Sequence, residues 1–202
     1  MKKLIVLTAL IALAVLAKAQ SQDFHAFKFD IGFGGAEATG SGGNAYGGNF
    51  TLQPHVRTSD EFALGLRLGV TGLYYNNSSG NKQLSAIASA CLTGEYYLSN
   101  RGFRPFIGAG LGEFDEESVT KNNNNGNGNG NGNGNGNGNG NGNGGGGVTL
   151  SARTQNFGWF PEIGFEAGHF RFSVEYNYTG NGNNYAAVKI GTFIGGGRKN
   201  KK

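Results

Sequence analysis

Apolar and polar residues alternate along most of the chain from residue 26 onward. The alternation forms eight runs, which begin at Ala26, Phe50, Phe62, Leu84, Pro105, Phe157, Phe170 and Tyr185. A period of two residues is typical of β-strands, and each run approaches the roughly 9–11 residues with which a tilted strand crosses a membrane. The pattern therefore predicts an all-β protein with eight strands.

The connections between the runs are alternately long and short. Long segments lie near 34–44, 76–82, 113–147 and 179–184, and short turns lie at 58–60, 99–102 and 168–169. Membrane β-barrels have long external loops and short periplasmic turns. Because every short turn falls at the same end, we predict an antiparallel up-and-down transmembrane β-barrel of eight strands, with both chain ends in the periplasm.

The polar faces of the runs carry balanced charge, with five cations and five anions among Gly, Ser and Thr residues. A soluble barrel such as a lipocalin has apolar side chains inside, whereas this composition suits a narrow lumen filled with ion pairs. Within it, Arg67 and Arg171 are expected beside carboxylates, above all Glu95 and Glu175. The predicted structural ion network of the lumen comprises Lys28, Asp30, Arg57, Arg67, Glu95, Glu162, Glu166, Arg171, Glu175 and Lys189.

Aromatic residues recur near the ends of the predicted strands, as in the interfacial girdles of membrane barrels. The strand positions predict an outer rim with Tyr74 and Tyr178, and an inner rim with Phe62, Tyr96 and Phe170. Trp159 falls nearer the middle of its run and is not assigned to a girdle.

Residues 1–19 have the pattern of a cleaved export signal. Lys2 and Lys3 precede an apolar run from Leu4 to Leu16, and Ala17-Lys18-Ala19 supplies the small residues that a signal peptidase recognises. The apolar run is shorter than the ~20 residues of a spanning helix. We therefore expect a mature barrel over residues 20–197, followed by a basic periplasmic tail at 198–202.

The segment 121–147 is of low complexity and consists almost entirely of Asn and Gly. It has no apolar side chain before Val148, so we expect a disordered external loop that acts as a spacer. The alternatives are an adhesive ligand and an Asn-rich segment that stacks as β-structure.

Charge and cysteine content exclude several functions. Removing the signal leaves 14 lysines and arginines against 13 carboxylates, a net charge of +1, so nucleic acid is not an expected partner. Cys91 is the only cysteine, which excludes an intrachain disulfide and a thiolate metal cluster; we expect it to be packed inside.

No catalytic or metal-binding set stands out in the sequence. His25 and His169 fall at the periplasmic end, and His55 faces the lumen, so no serine nucleophile with a positioned base emerges. The run Asp115-Glu116-Glu117 lacks a calcium-loop spacing and is expected to be a solvated part of the long loop. We predict no enzyme activity and no cofactor. Since side chains largely fill an eight-stranded lumen, a diffusion porin is also disfavoured.

Three segments carry a resemblance to a known family. Phe106–Gly112 after Arg104-Pro105 is similar to the fifth strand of small OmpA/OmpX-like outer-membrane β-barrel proteins. Pro161–Gly168 and Phe170–Asn177 resemble their sixth and seventh strands. The resemblance implies the outer membrane of a Gram-negative cell, with outer-membrane lipid and the barrel-assembly machinery as partners.

The predicted function is that of a structural or surface-interaction barrel, whose external loops meet extracellular partners. The alternative is a small conduit or binding barrel for a solute. Conductance in planar bilayers distinguishes these two hypotheses.

Overall fold

The computed structural model describes residues 23–38, 45–76, 82–121 and 148–199. The predicted signal peptide, the Asn/Gly-rich tract from 122 to 147 and the last residues of the predicted basic tail lie outside the described residues. Of that tail, Arg198 forms a bridge with Phe24, and the Lys199 amide donates to the Asp23 carbonyl at 2.8 Å, so the two described ends of the chain are joined.

The described residues form strands that close into a barrel. The strands are β1 (Phe27–Ala38), β2 (Ala45–Arg57), β3 (Phe62–Asn76), β4 (Lys82–Tyr97), β5 (Phe103–Lys121), β6 (Val148–Leu150), β7 (Thr154–Ala167), β8 (Phe170–Asn177) and β9 (Tyr185–Gly195). Pairing between β1 and β9 closes the ring, and β6 and β7 both pair with β5, so they share one position in the wall. The predicted eight-stranded antiparallel barrel is therefore confirmed.

The inward and outward faces of the wall have the opposite polarity to those of a soluble barrel. Outward apolar side chains such as Phe33 (58%), Leu111 (52%) and Ile163 (61%) are exposed, whereas the inward Lys28 and Arg67 are at most 1% exposed. An exposed apolar belt around a closed ladder is stable in lipid, because the ladder satisfies the backbone polar groups that lipid cannot. In the described ranges, no helix is long and apolar enough to cross a membrane.

We call the end with the short turns the turn end, and the opposite one the loop end. At the turn end, the outward Phe62 and Tyr96 are register partners. At the loop end, Tyr74 pairs with Tyr46, and Trp159 stacks on Tyr178 with ring centroids 4.4 Å apart. Trp159 therefore shares the level of an outer-rim tyrosine, although it lies well inside β7, which runs from Thr154 to Ala167.

Strands at the loop end are longer than predicted. The expected loop at 113–147 begins only after Lys121, because Glu113–Lys121 pairs with β4. In this part Phe114 points inward (1% exposed), while Glu113 and Glu117 are exposed on the outer face. Above the lipid, an outward face must be polar, so the rule that outward residues are apolar no longer identifies the strand.

Candidate functional site

All ten residues of the predicted network lie inside the barrel, and none is more than 6% exposed. Alternation directs them inward, since residues of one parity on a strand share a face. They form two connected groups, one toward the turn end around Glu95 and Glu166, and one nearer the middle around Glu175.

The group near the turn end is built around Arg171 of β8. Its guanidinium lies 2.6 Å from Glu95 Oε1 and 3.0 Å from Glu166 Oε1. Lys28 Nζ lies 2.5 Å from the same Glu166 oxygen and 3.0 Å from Asp30 Oδ2. Charges from four strands thus neutralise one another across the lumen, which is the condition under which buried charges are tolerated.

The second group surrounds Glu175. Arg67 Nη1 and Lys189 Nζ each lie 2.6 Å from Glu175 Oε2, and Asn177 Nδ2 donates to Oε1 at 3.0 Å. Lys189 also lies 3.3 Å from Glu162 Oε1, which links this group to the first. Arg67 therefore meets Glu175, and Arg171 meets Glu95.

Sequence reasoning missed two members of the lumen. The Tyr97 hydroxyl lies 2.7 Å from Glu95 Oε2 and 2.8 Å from Glu166 Oε1, so its single proton serves one carboxylate at a time. Arg104 is 5% exposed, with Nη1 3.7 Å from Glu166 Oε2. Arg104 has the same parity as the inward Phe106, which is a usable signal, but it precedes the predicted run that begins at Pro105.

Glu116 was also misplaced, as part of a solvated acidic run. It is 8% exposed and accepts hydrogen bonds from Ser85 Oγ (2.5 Å), Asn181 Nδ2 (2.6 Å) and Asn183 Nδ2 (2.8 Å). Its neighbour Asp115 remains outside and pairs with Arg153; this hydrogen bond raises the pKa of Arg153 above its ordinary value. Alternation along β5 turns Glu116 inward, where the chain after β8 covers it.

Toward the loop end, the lumen is filled by apolar side chains. Buried residues of this layer include Leu73, Ile87, Cys91, Phe114, Phe160 and Tyr185. Below it, a cavity of about 10 Å³ adjoins Asp30, Gln53, Arg171 and Lys189. That volume holds about one water molecule, so the described side chains leave a packed interior around this cavity.

Asp30, His55 and Glu95 place possible metal ligands within 4.8 Å of one another. His55 Nε2 lies 2.9 Å from Asp30 Oδ2, but Lys28 and Arg171 already contact the two carboxylates at 3.0 and 2.6 Å. A divalent ion would add charge to a set that is already neutralised. The geometry therefore favours a structural ion cluster over a metal centre. His169, in the turn between β7 and β8, contacts the Phe193 carbonyl at 3.0 Å through Nδ1.

Neither a protein-family model nor a curated protein sequence matches the chain, but solved structures match its fold. Neisserial surface protein A has a TM-score of 0.50 at 18% identity, over 84% of this chain and 97% of that one. Ail, the attachment invasion locus protein of Yersinia pestis, has a TM-score of 0.55 at 9% identity, over 86% of this chain and 100% of that one. Ail in complex with the heparin analogue sucrose octasulfate has a TM-score of 0.52 at 9% identity, over 83% and 97%.

Identities this low show a shared fold alone. The chain thus has the fold of the small eight-stranded outer-membrane β-barrel proteins, as its likeness to the OmpA/OmpX-like group predicted.

Proposed function

We propose that the protein is an outer-membrane barrel of the surface-interaction type, in which the barrel anchors a projecting piece of β-sheet and performs no catalysis. The observation that supports this most directly is the height of the wall on one side. β5 has 19 residues, whereas β8, which follows β7 in the wall, has only 8.

The outer face of β5 marks where the wall leaves the lipid. Ile107 and Leu111 are exposed apolar residues, and the next outward positions are Glu113, Asp115 and Glu117. Carboxylates on the outer face are unfavourable in hydrocarbon. The strand above Leu111, together with its partners in β4, β6 and β7, therefore lies in water at the loop end.

This projecting sheet has an unpaired edge on β7. The last pairing on this side is the bridge between Trp159 and Tyr178, the residue after β8, whose amides and carbonyls exchange hydrogen bonds of 3.0 and 2.9 Å. Because hydrogen-bonding direction alternates along a strand, the N–H and C=O of Gln155 point to the same side, where none of the described strands pairs with them. An open strand edge in water can accept an extended segment of another chain.

A pair of deletions separates the sheet from the Asn/Gly-rich tract. Lys121 and Val148 are register partners, as are Phe114 and Asn156, so either pair can be rejoined by a short turn. We expect removal of 122–147 to leave surface binding unchanged, and also the difference in gel migration between unboiled and boiled samples (heat-modifiable migration), since shortening a loop changes its closure cost by only about 0.6 kcal/mol per halving. Removal of 115–155, which takes away Gln155 with the top of the projecting sheet, should preserve the barrel and abolish binding.

Adhesion of protein-bearing liposomes to cultured epithelial cells measures this difference, with empty liposomes as the background. Loss of adhesion on removal of 122–147 alone would assign the interaction to the tract. Adhesion by neither the full chain nor the tract-deleted protein would reject a surface interaction with these cells.

The conduit hypothesis predicts a steady ionic conductance in planar bilayers, whereas the surface-interaction hypothesis predicts none. With Arg67 over the Phe160 ring at 3.5 Å and Arg171 over the Phe106 ring at 4.0 Å, charged and aromatic side chains fill the lumen. We expect no steady conductance from the purified protein. A reproducible single-channel current, absent in Phe160→Trp, would favour the conduit.

A further inference from the structure

A cavity of about 240 Å³ opens at the turn end of the barrel. It lies between the turn that joins β4 to β5, the turn that joins β7 to β8, and the chain that follows β9. Its charged lining consists of Arg101, Arg104 and Arg198 on one hand and Glu166 on the other. Three cations thus meet one carboxylate at this mouth.

The positive charge extends inward to Arg57. This side chain is fully buried, and none of its guanidinium nitrogens makes a hydrogen bond to the described residues. Arg57 Nη2 and Arg104 Nη1 lie 3.6 and 3.7 Å from the same oxygen, Glu166 Oε2, which accepts no hydrogen bond from the described residues. These separations exceed the 2.7–3.2 Å of a direct N–H···O bond.

The single negative charge of Glu166 is shared between these arginines and two further cations. Oε1 lies 2.5 Å from Lys28 Nζ and 3.0 Å from Arg171 Nη1. Burying a guanidinium without a bonded partner is costly, so an additional anion at this place would be favourable.

Aromatic rings hold the two inner guanidinium groups in position. Arg104 Cζ lies 4.1 Å from the ring centres of both Phe24 and Tyr97, and Arg57 Cζ lies 5.0 and 4.6 Å from them. Arg104 also donates to the Ser99 and Asp60 carbonyls at 3.4 and 3.3 Å. Its Nη1 is left facing Glu166 and the cavity. The donors are therefore oriented before any ligand arrives, which lowers the cost of binding.

We propose that this cavity binds a phosphate group, with Arg104 as the inner anchor and Arg101 and Arg198 closing around the outer oxygens. Guanidinium groups match the geometry of phosphate with paired hydrogen bonds, and several of them converge here. The volume is below the roughly 300–1,000 Å³ of pockets for drug-sized ligands, and it suits a small anion or a single headgroup. The phosphate comes from a phospholipid headgroup at the membrane edge or from a free phosphate in the aqueous compartment.

Calorimetric titration of the folded protein in a maltoside detergent, which carries no phosphate, tests the proposal. One arm uses inorganic phosphate, and the other uses short-chain phosphatidylglycerol below its micelle concentration, with a short-chain diacylglycerol, which lacks the phosphate, as the lipid control. Saturation by inorganic phosphate assigns a free phosphate. Saturation by phosphatidylglycerol alone assigns a headgroup. Absence of binding in both arms overturns the proposal.

Variants locate the binding. Arg101 and Arg198 are exposed, so Arg101→Gln with Arg198→Gln should leave heat-modifiable migration unchanged while weakening the affinity at least tenfold. Arg153→Gln, an exposed arginine at the loop end, is the matched control and should bind as the unaltered chain does. An affinity unchanged in the double variant would place the ligand elsewhere and overturn the assignment.

Discussion

Replacing Arg171 by Met should lower the free energy of unfolding by about 3–5 kcal/mol, the cost of breaking a buried ion pair from one side. The substitution keeps the volume near Phe106 but leaves Glu95, whose oxygen lies 2.6 Å from the guanidinium, without its main partner. Urea unfolding in phospholipid vesicles measures the loss, followed by the fluorescence of the single tryptophan, Trp159, which faces the lipid.

Two further variants show whether the loss comes from unpaired charge. Adding Glu95→Gln to Arg171→Met should restore part of the stability, because the residual carboxylate charge is removed. Arg153→Met breaks the pair with Asp115, but the Arg153 side chain is 74% exposed. The free energy of unfolding of this variant should therefore not change measurably. An Arg171→Met protein as stable as the unaltered chain would show that the lumen charges are not coupled in this way.

The second large effect concerns two glycines on opposite faces of the wall. A Cβ at Gly164 of β7 would lie 2.2 Å from the Phe172 carbonyl oxygen and 2.6 Å from the Phe106 ring. A Cβ at Gly72 of β3 would meet nothing within 4 Å. We expect Gly164→Val to abolish the heat-modifiable band, because the added side chain would collide with the β8 backbone at Phe172 and with the Phe106 ring of β5.

Gly72→Val should have the opposite effect and stabilise the barrel by about 0.5–1 kcal/mol, since a strand interior pays an entropic cost for glycine and favours β-branched residues. Migration of unboiled and boiled samples on a denaturing gel, over a series of temperatures, compares both variants with the unaltered chain. A folded Gly164→Val barrel would mean that the inward side of β7 is looser than these distances indicate.

Most of the fold was predictable because one physical rule governs all spanning strands. Lipid requires an apolar outer face, and a filled lumen requires the opposite parity to be small, polar or ion-paired, so alternation marks each strand. The rule does not apply above the lipid, where the outward Glu113 and the inward Phe114 reverse it. The loop-end extension of β5 was missed for that reason.

The residues of the lumen network could be predicted individually, but not their complete set. Parity assigned Arg171 and Glu95 to the interior, whereas Arg104 precedes the predicted fifth run and Glu116 falls in the predicted long loop, so parity was not applied to them. The Tyr97 hydroxyl between two carboxylates was missed as well, since a tyrosine near a strand end is equally typical of the interfacial girdle.

Which charges meet was decided only by the tertiary structure. By itself, the sequence determined the all-β class, the number of strands in the wall and the inward parity of the ten network residues, because alternation and connection lengths are local properties. Arg171 and Glu95 are 76 positions apart and belong to strands on different sides of the lumen. Their contact depends on the stagger at which the ring closes, and so does the meeting of Arg57 with Arg104 at the turn end. Closure is a property of all strands together, and therefore no single run of residues contains it.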